Sequence, residues 1–154
     1  KIAEMTLEGE IVGSDLKPSM ETGMHLEIYK SRKDVNAIVH AHPPKATAWA
    51  CSDNNLENNL CGEARYFLGN IAKAPYSLMG TKNLAKIVSE SLNDKLAVLL
   101  ANHGALTVGK NLFQAYDRME VLENLAELQL LVKQVGNPVY LSEQECETLD
   151  NMRS

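Results

Sequence analysis

The chain has 154 residues, of which 45% are hydrophobic and 23% are charged, and its formal net charge is −5. This length suits a single domain, residues 1–154, that buries a substantial core. The acidic balance and the 5% of aromatic residues argue against nucleic acid as a partner. No apolar run is long enough to span a membrane, so we expect no membrane partner either.

The first part of the chain is predicted to form a β-hairpin followed by a helix. Residues 1–7 and 11–12 predict two strands joined by a turn at 8–10, and 13–18 predict a loop. Because the first strand begins without a methionine, we expect that an N-terminal segment of the domain is missing. Ser19 is then predicted to cap a helix that runs to about Arg32, with Glu21 in its first turn.

The middle of the chain alternates short apolar runs with helical patterns, which predicts an α/β domain. Strands are predicted over 37–42, 71–75, 96–101 and 105–108. Helices are predicted over 45–51, which follows two prolines, and over 82–92, which Thr81 caps. The asparagine-rich segment 52–62 predicts a loop. Cys51, Cys61 and Cys146 lack a paired spacing, which favours small buried side chains in a reducing cytoplasm.

The last predicted element is a long helix over 112–135, capped by Asn111 and ended by Gly136. It carries two apolar faces. One comprises Leu112, Ala115, Met119, Leu122, Ala126 and Leu130, and the other comprises Val121, Leu125, Leu128 and Val132. A helix that is apolar on two sides packs against a sheet and a second neighbour, or lies at a subunit contact.

Three of the four histidines follow apolar strands. His40 and His42 have the i, i+2 spacing that places both side chains on one face of a strand, and His103 follows the strand over 96–101. Three imidazole nitrogens leave a coordination position open, as catalytic zinc requires. The alternative is that these histidines pack at strand ends and bond to the backbone. Gly104, beside His103, is predicted to let a substrate approach closely.

A metal of this kind polarises a carbonyl group and needs a general base nearby. Glu21 is the leading candidate, although complementarity to the helix dipole also explains an acid in a first turn. His25 lies one helical turn further on and either orients Glu21 or packs, the second being the simpler role. Ser19 either binds an anion with the helix N-terminus or only caps the helix.

Four motifs together resemble the class II aldolase/adducin family, and they cover almost the whole chain in order. They are KPSMETGMH at 17–25, AIVHAH at 37–42, APY at 74–76 and ANHG at 101–104. The resemblance is strongest to the branch that cleaves L-fuculose 1-phosphate. It implies a three-layer α/β/α sandwich around a central, mostly antiparallel sheet, and a cytoplasmic homotetramer with active sites at subunit contacts.

The resemblance also implies a chemistry. His40, His42 and His103 would hold one Zn²⁺ per subunit, with Glu21 beside the metal as a further ligand and as the acid/base. Ser19 would belong to the substrate phosphate site. The reaction would be reversible aldol cleavage of L-fuculose 1-phosphate, or a related ketose 1-phosphate, to dihydroxyacetone phosphate and L-lactaldehyde in fucose catabolism.

Some features depart from the family pattern. Met20 replaces a serine that is common beside Ser19, the upstream phosphate loop is absent, and no tyrosine matches the family's active-site tyrosines securely, Tyr66 included. Three alternatives stay open: an L-ribulose-5-phosphate 4-epimerase, a methylthioribulose-1-phosphate dehydratase, and a non-enzymatic adducin-like interaction module. Glu21 stands where epimerases typically carry aspartate, and interaction modules generally lose the metal histidines, so the aldolase is favoured.

Overall fold

The computed structural model describes residues 2–13 and 15–153. The chain opens with the predicted hairpin, in which β1 (Glu4–Met5) pairs antiparallel with β2 (Ile11–Val12). The turn between them includes Gly9 at a φ of +93°, a conformation that favours glycine. Lys1, where the first strand was predicted to begin, and Ser14 in the predicted loop lie outside the described residues.

A four-stranded sheet forms the centre of the molecule. Its strands are β3 (Ala37–Ala41), β4 (Ile71–Ala74), β5 (Ala97–Leu100) and β6 (Gly104–Gly109), in the spatial order β3-β6-β5-β4. The β3/β6 and β6/β5 pairs are antiparallel and the β4/β5 pair is parallel. The sheet is therefore mostly antiparallel, as predicted.

Helices cover both faces of this sheet, because both faces of its central strands are apolar. One face carries α1 (Thr22–Ser31) and α4 (Lys82–Leu92), and the other carries α2 (Pro44–Ala50), α3 (Gly62–Leu68) and α5 (Leu112–Val135). Alternate residues of β5 serve the two cores: Val98 and Leu100 face α1 and α4, while Ala97 and Leu99 face the other three helices. A last helix, α6 (Glu143–Arg153), packs on α3. This is the predicted three-layer α/β/α sandwich.

The long helix α5 has the predicted bounds. Asn111 caps it by accepting a hydrogen bond from the Gln114 backbone N–H at 2.9 Å, and Gly136 ends it. Within the first apolar face, Ala115, Met119, Leu122 and Ala126 are buried, whereas Leu112 and Leu130 are exposed. In the second face Leu125 is buried and Leu128 is exposed. Within the described part of the chain, no helix is long and apolar enough to cross a membrane.

Two local predictions were wrong, and two helices were not predicted. The first helix begins at Thr22 with Glu21 as its N-cap residue, and Ser19 does not cap it, because the Ser19 carbonyl oxygen instead accepts the Thr22 N–H and hydroxyl in a preceding turn. The cysteines are not uniformly buried: Cys146 is buried but Cys51 is exposed. The helices α3 and α6 were not predicted at all.

The two helices that were not predicted differ in whether their sequences contain a helix start signal. The seven-residue α3 has Cys61 at its N-cap and no side-chain cap, so no start signal marks it. In contrast, α6 begins with a capping box. The Ser142 hydroxyl accepts the Glu145 backbone N–H at 3.3 Å, and the Glu145 carboxylate accepts the Ser142 N–H at 2.8 Å. That spacing was readable from the sequence.

Candidate metal centre and active site

The structure brings His40, His42 and His103 together at one end of the central sheet. His40 is the next-to-last residue of β3, His42 follows that strand, and His103 lies in the turn between β5 and β6. Their ring centroids are 4.9 Å apart for His40–His42 and for His40–His103, and 5.1 Å apart for His42–His103. One ring nitrogen of each lies within 4.8 Å of the others. This spacing allows all three to bind one ion.

His40 shows most directly that the group suits a metal. Its Nδ1 lies 2.9 Å from the Ala105 carbonyl oxygen, which only accepts hydrogen bonds, so Nδ1 carries the proton and Nε2 carries a lone pair. This Nε2 is buried and has no hydrogen-bond partner among the described residues. Burial lowers the pKa of His40 to about 4, and the Ala105 hydrogen bond opposes this only in part. The ring is therefore neutral at pH 7, the form that binds zinc.

The turn that carries His103 has a tightly specified backbone. Asn102 adopts a φ of +55°, a left-handed conformation that asparagine tolerates better than most residues. Its N–H donates to the Ala50 carbonyl oxygen at 3.2 Å, and the His103 N–H donates to that of Leu100 at 3.0 Å. These bonds attach the turn to the end of α2 and to its own strand.

Gly104 has a packing role that the sequence did not predict. A Cβ atom there would lie 2.6 Å from the Ala41 carbonyl oxygen and 2.8 Å from Cδ2 of the His42 ring. The absence of a side chain at Gly104 makes room for the Ala41 backbone of β3 and for the His42 ring. The close approach of substrate at Gly104 stays a prediction.

We expect Gly104→Ala to destabilise the protein and to disturb His42. The contact with Ala41 is to backbone, which moves less readily than a side-chain end, so overpacking of about 1–3 kcal/mol lowers Tm by roughly 3–10 °C. Thermal unfolding and zinc binding by competition with a chelator measure both effects. Gly23→Ala is the matched control, because an added Cβ there meets nothing within 4 Å. Equal Tm values for the two variants would contradict the packing role.

A residue that sequence reasoning missed holds α2 in place. The N-cap residue of α2 is Pro43, whose side chain accepts no hydrogen bond. Glu123 of α5 supplies the acceptors from a distance: its two carboxylate oxygens accept the Lys45 and Ala46 backbone N–H groups at 3.0 and 2.8 Å. Because α2 begins just after His42 and its Ala50 holds the turn carrying His103, Glu123 fixes the element that links both histidines. The sequence shows only a charged residue beside the buried face of α5, which does not indicate its partners in α2.

We expect Glu123→Ala to lower the free energy of unfolding by about 2–4 kcal/mol, since it leaves two N–H groups without acceptors. Zinc affinity should fall by about 10- to 100-fold, as for other residues that orient metal ligands. Urea unfolding and zinc competition measure the two effects. Glu127→Ala is the control: Glu127 also lies near the Lys45 ammonium, at 3.4 Å, but it accepts neither N–H group. If both variants behave alike, the effect is one of charge alone.

Glu21 and His25 lie on the α1 side of the histidine group. The His25 ring centroid is 6.5 Å from that of His40, and Glu21 is close enough for its charge to oppose the lowering of the His25 pKa that burial causes. Oε2 of Glu21 is buried without a hydrogen-bond partner among the described residues. A buried carboxylate oxygen in this state indicates an absent partner such as a ligand or water. The group of side chains that could hold one metal ion comprises the three histidines, and the role of Glu21 as a further ligand stays a prediction.

Ser19 lies in the same short turn as Glu21. Its hydroxyl oxygen accepts the Glu21 backbone N–H at 3.2 Å, and the residue is exposed. Met20, between them, packs against Gly80 of the loop before α4. Any group bound by the Ser19 hydroxyl therefore lies beside the N-terminus of α1. Its place in a phosphate site stays a prediction.

The sequence and the α/β/α fold that carry these histidines both match known proteins. Residues 1–130 match the family described as class II aldolase and adducin N-terminal domain. A 5-deoxy-D-ribulose 1-phosphate aldolase from Bacillus thuringiensis is 38% identical over 146 residues, which cover 94% of this chain and 68% of the relative. A 3-oxo-tetronate 4-phosphate decarboxylase from Haemophilus influenzae is 34% identical over 156 aligned residues, which cover 98% of this chain and 73% of the relative.

The solved structures agree with this assignment. A structure of an L-fuculose 1-phosphate aldolase superposes with a TM-score of 0.90 at 35% identity, covering 97% of this chain and 70% of the other. The chain therefore belongs to the class II aldolase and adducin family. It is a carbon–carbon lyase of the class II aldolase type, a class in which dependence on zinc is typical.

Proposed function

We propose that this chain is a zinc-dependent aldolase that reversibly cleaves L-fuculose 1-phosphate, or a related ketose 1-phosphate, to dihydroxyacetone phosphate and an aldehyde. With L-fuculose 1-phosphate the aldehyde is L-lactaldehyde. The observation that carries the proposal is that His40 Nε2 and Glu21 Oε2 are both buried and both lack a hydrogen-bond partner among the described residues. One belongs to a donor set for zinc and the other to a general acid/base.

The three histidines would hold the ion, because neutral imidazole nitrogens are preferred zinc ligands. The chemistry that bound zinc supplies is Lewis-acid polarisation of the ketose carbonyl. Glu21 then moves the proton. Its carboxylate accepts the proton of the C4 hydroxyl as the C3–C4 bond breaks, and the electron pair of that bond passes to the fragment that bears the carbonyl. The carboxyl group returns the proton to C3, so the reaction consumes no other reactant.

Other residues of the chain support this chemistry indirectly. Ser19 beside the N-terminus of α1 offers a hydroxyl and a helix end to the substrate phosphate. Glu123 keeps α2, and with it His42, in place through its two backbone hydrogen bonds. The relatives named above act on phosphorylated substrates, which supports a phosphate-bearing substrate for this chain too.

We further propose a cytoplasmic homotetramer with one zinc ion per subunit and a role in fucose catabolism. Support for self-association comes from the exposed apolar residues at the start of α5, where Leu112 is 65% and Phe113 is 82% exposed. The unpaired cysteines suit a reducing compartment. Light scattering on the zinc-loaded protein measures the assembly, and a monomer at micromolar concentration would contradict it.

The test measures release of dihydroxyacetone phosphate from L-fuculose 1-phosphate and from 5-deoxy-D-ribulose 1-phosphate. The released dihydroxyacetone phosphate is detected by its enzymatic reduction. We expect release that a chelator abolishes and added zinc restores. The relative named as a decarboxylase gives one competing outcome, in which a 3-oxo-tetronate 4-phosphate loses carbon dioxide and neither ketose is cleaved. Epimerisation of L-ribulose 5-phosphate without aldehyde release is the other. Either result from zinc-loaded protein would overturn the aldolase proposal.

A further inference from the structure

A small cavity lies at the end of the central sheet opposite the histidines. It has a volume of about 60 Å³ and its lining includes Val108 and Gly109, at the end of β6. Those residues pair with the beginning of β3, whereas His40 lies at the other end of that strand. The volume is several times the roughly 10–15 Å³ that one water requires, so the cavity has room for an ion of a few atoms but is small for a sugar phosphate.

The cavity is bordered by cationic side chains. Arg32, Lys110 and Arg118 contribute to its lining, and Asp34 is the one acidic residue there. Asp34 is already engaged by Arg32, whose Nε and Nη2 donate to its two carboxylate oxygens at 2.8 and 2.7 Å. The other two cations have no carboxylate within ion-pair distance among the described residues. The cavity therefore carries an unbalanced positive charge.

Arg118 is the most constrained of these groups. It is only 9% exposed, and its guanidinium is held by two neutral acceptors, with Nη1 donating to the Val108 carbonyl oxygen at 2.6 Å and Nε to that of Phe67 at 3.3 Å. Nη2 has no hydrogen-bond partner in the part of the chain that the structure describes. A guanidinium fixed in this way presents its remaining N–H groups in one direction, which suits a bound anion.

The surroundings make the charge of Arg118 costly without a counter-ion. Burial lowers the pKa of Arg118, and the positive charges of Arg153 and Arg32 lower it further. Arg153 has its own partner, because its Nη2 lies 3.3 Å from the Asp150 carboxylate. A largely buried charge that meets only neutral acceptors is unfavourable, and an anion beside it restores the balance.

We propose that this cavity binds one small free anion, of the size of chloride or acetate, between Arg118 and Lys110. The anion joins the end of β6 to the first two turns of α5, where Gln114 also lines the cavity. This site is separate from the histidine group and serves stability, since a ligand that binds only the folded state raises the free energy of unfolding.

The test measures Tm of the full chain while chloride or acetate replaces a bulky sulfonate at constant ionic strength. We expect a saturable rise of about 2–4 °C with either small anion. Identical Tm values in all three salts would overturn the proposal. The titration is repeated at a tenfold higher protein concentration. A Tm that rises with protein concentration instead of with added anion would assign the counter-charge to a carboxylate of a second copy, which also overturns it.

Two variants assign the effect to the cavity. Lys110→Met removes an exposed cation that makes no ion pair within the described residues, so the fold is kept. We expect its half-saturating anion concentration to rise at least about fivefold. Lys30→Met, with the same change of charge on the exposed side of α1, is the control and should match the wild type. Arg118→Met should lose the anion dependence entirely. Equal responses of the two lysine variants would contradict the site even if Arg118→Met fails to fold.

Discussion

Replacing His40 by alanine is expected to remove zinc from the protein and to abolish most of its lyase activity. The ring of His40 is fixed by the Ala105 carbonyl oxygen, and its buried Nε2 has no hydrogen-bond partner among the described residues. Without it, two histidines remain, which are too few to hold a catalytic zinc ion with useful affinity. Zinc content measured by atomic emission should fall from about one ion per chain to below about a tenth of that.

The loss of activity should be correspondingly large. Lewis-acid polarisation of the carbonyl is worth several kcal/mol, so turnover should fall by about 10³-fold or more. His25→Gln is the matched control, because His25 is the fourth histidine and its ring is 6.5 Å from that of His40 but outside the group of three. It should keep its zinc.

A packing role for the histidines predicts the opposite pattern. If the rings only fill space at the sheet end, His40→Ala should lower Tm in the presence and absence of a chelator alike and should leave zinc content unchanged. Circular dichroism of the metal-free wild type and variant separates loss of the fold from loss of the ion. A zinc-loaded, active His40→Ala variant would remove the histidine group from the mechanism.

The histidines were readable from the sequence because strand geometry is local. An i, i+2 spacing at a strand end places two side chains together whatever the rest of the fold does, and His103 followed an equally apolar run. The same reasoning gave the four strands of the sheet and the bounds of α5, whose Asn111 cap and Gly136 stop are local signals. Where the start and stop signals of an element lie within a few residues, its bounds could be predicted from the sequence.

Features that depend on distant partners were not readable. Glu123 caps α2 from 77 and 78 residues away, and nothing in α5 indicates which N–H groups it meets. Arg118 was not singled out from the sequence, because the carbonyl oxygens of Val108 and Phe67 that hold it in a buried position come from other elements. The prediction that Ser19 caps α1 was wrong because Ser19 and Thr22 form a turn of their own. This turn shifts the start of the helix to Thr22.

Glu21→Gln is expected to keep zinc bound and to lose most turnover. Glutamine has nearly the same volume as glutamate and remains able to accept a hydrogen bond, but it neither accepts nor releases the proton that C3–C4 cleavage requires. Loss of a general acid/base of this kind costs about 10²- to 10⁴-fold in kcat. The effect on stability should be small, because a charge at a helix N-terminus contributes about 0.3–1 kcal/mol.

Comparing kcat, KM, Tm and zinc content decides between the roles open to Glu21. A helix-dipole role predicts a slightly lower Tm and unchanged kcat, which would remove Glu21 from proton transfer. A role as a further metal ligand predicts that zinc is lost together with activity. The proposed acid/base role predicts a fall in kcat with zinc and Tm nearly unchanged, because the buried Oε2 makes no hydrogen bond within the described residues that glutamine would forfeit. Glu27→Gln, an exposed glutamate on the same helix, controls for charge and should leave kcat within about twofold, as surface substitutions generally do.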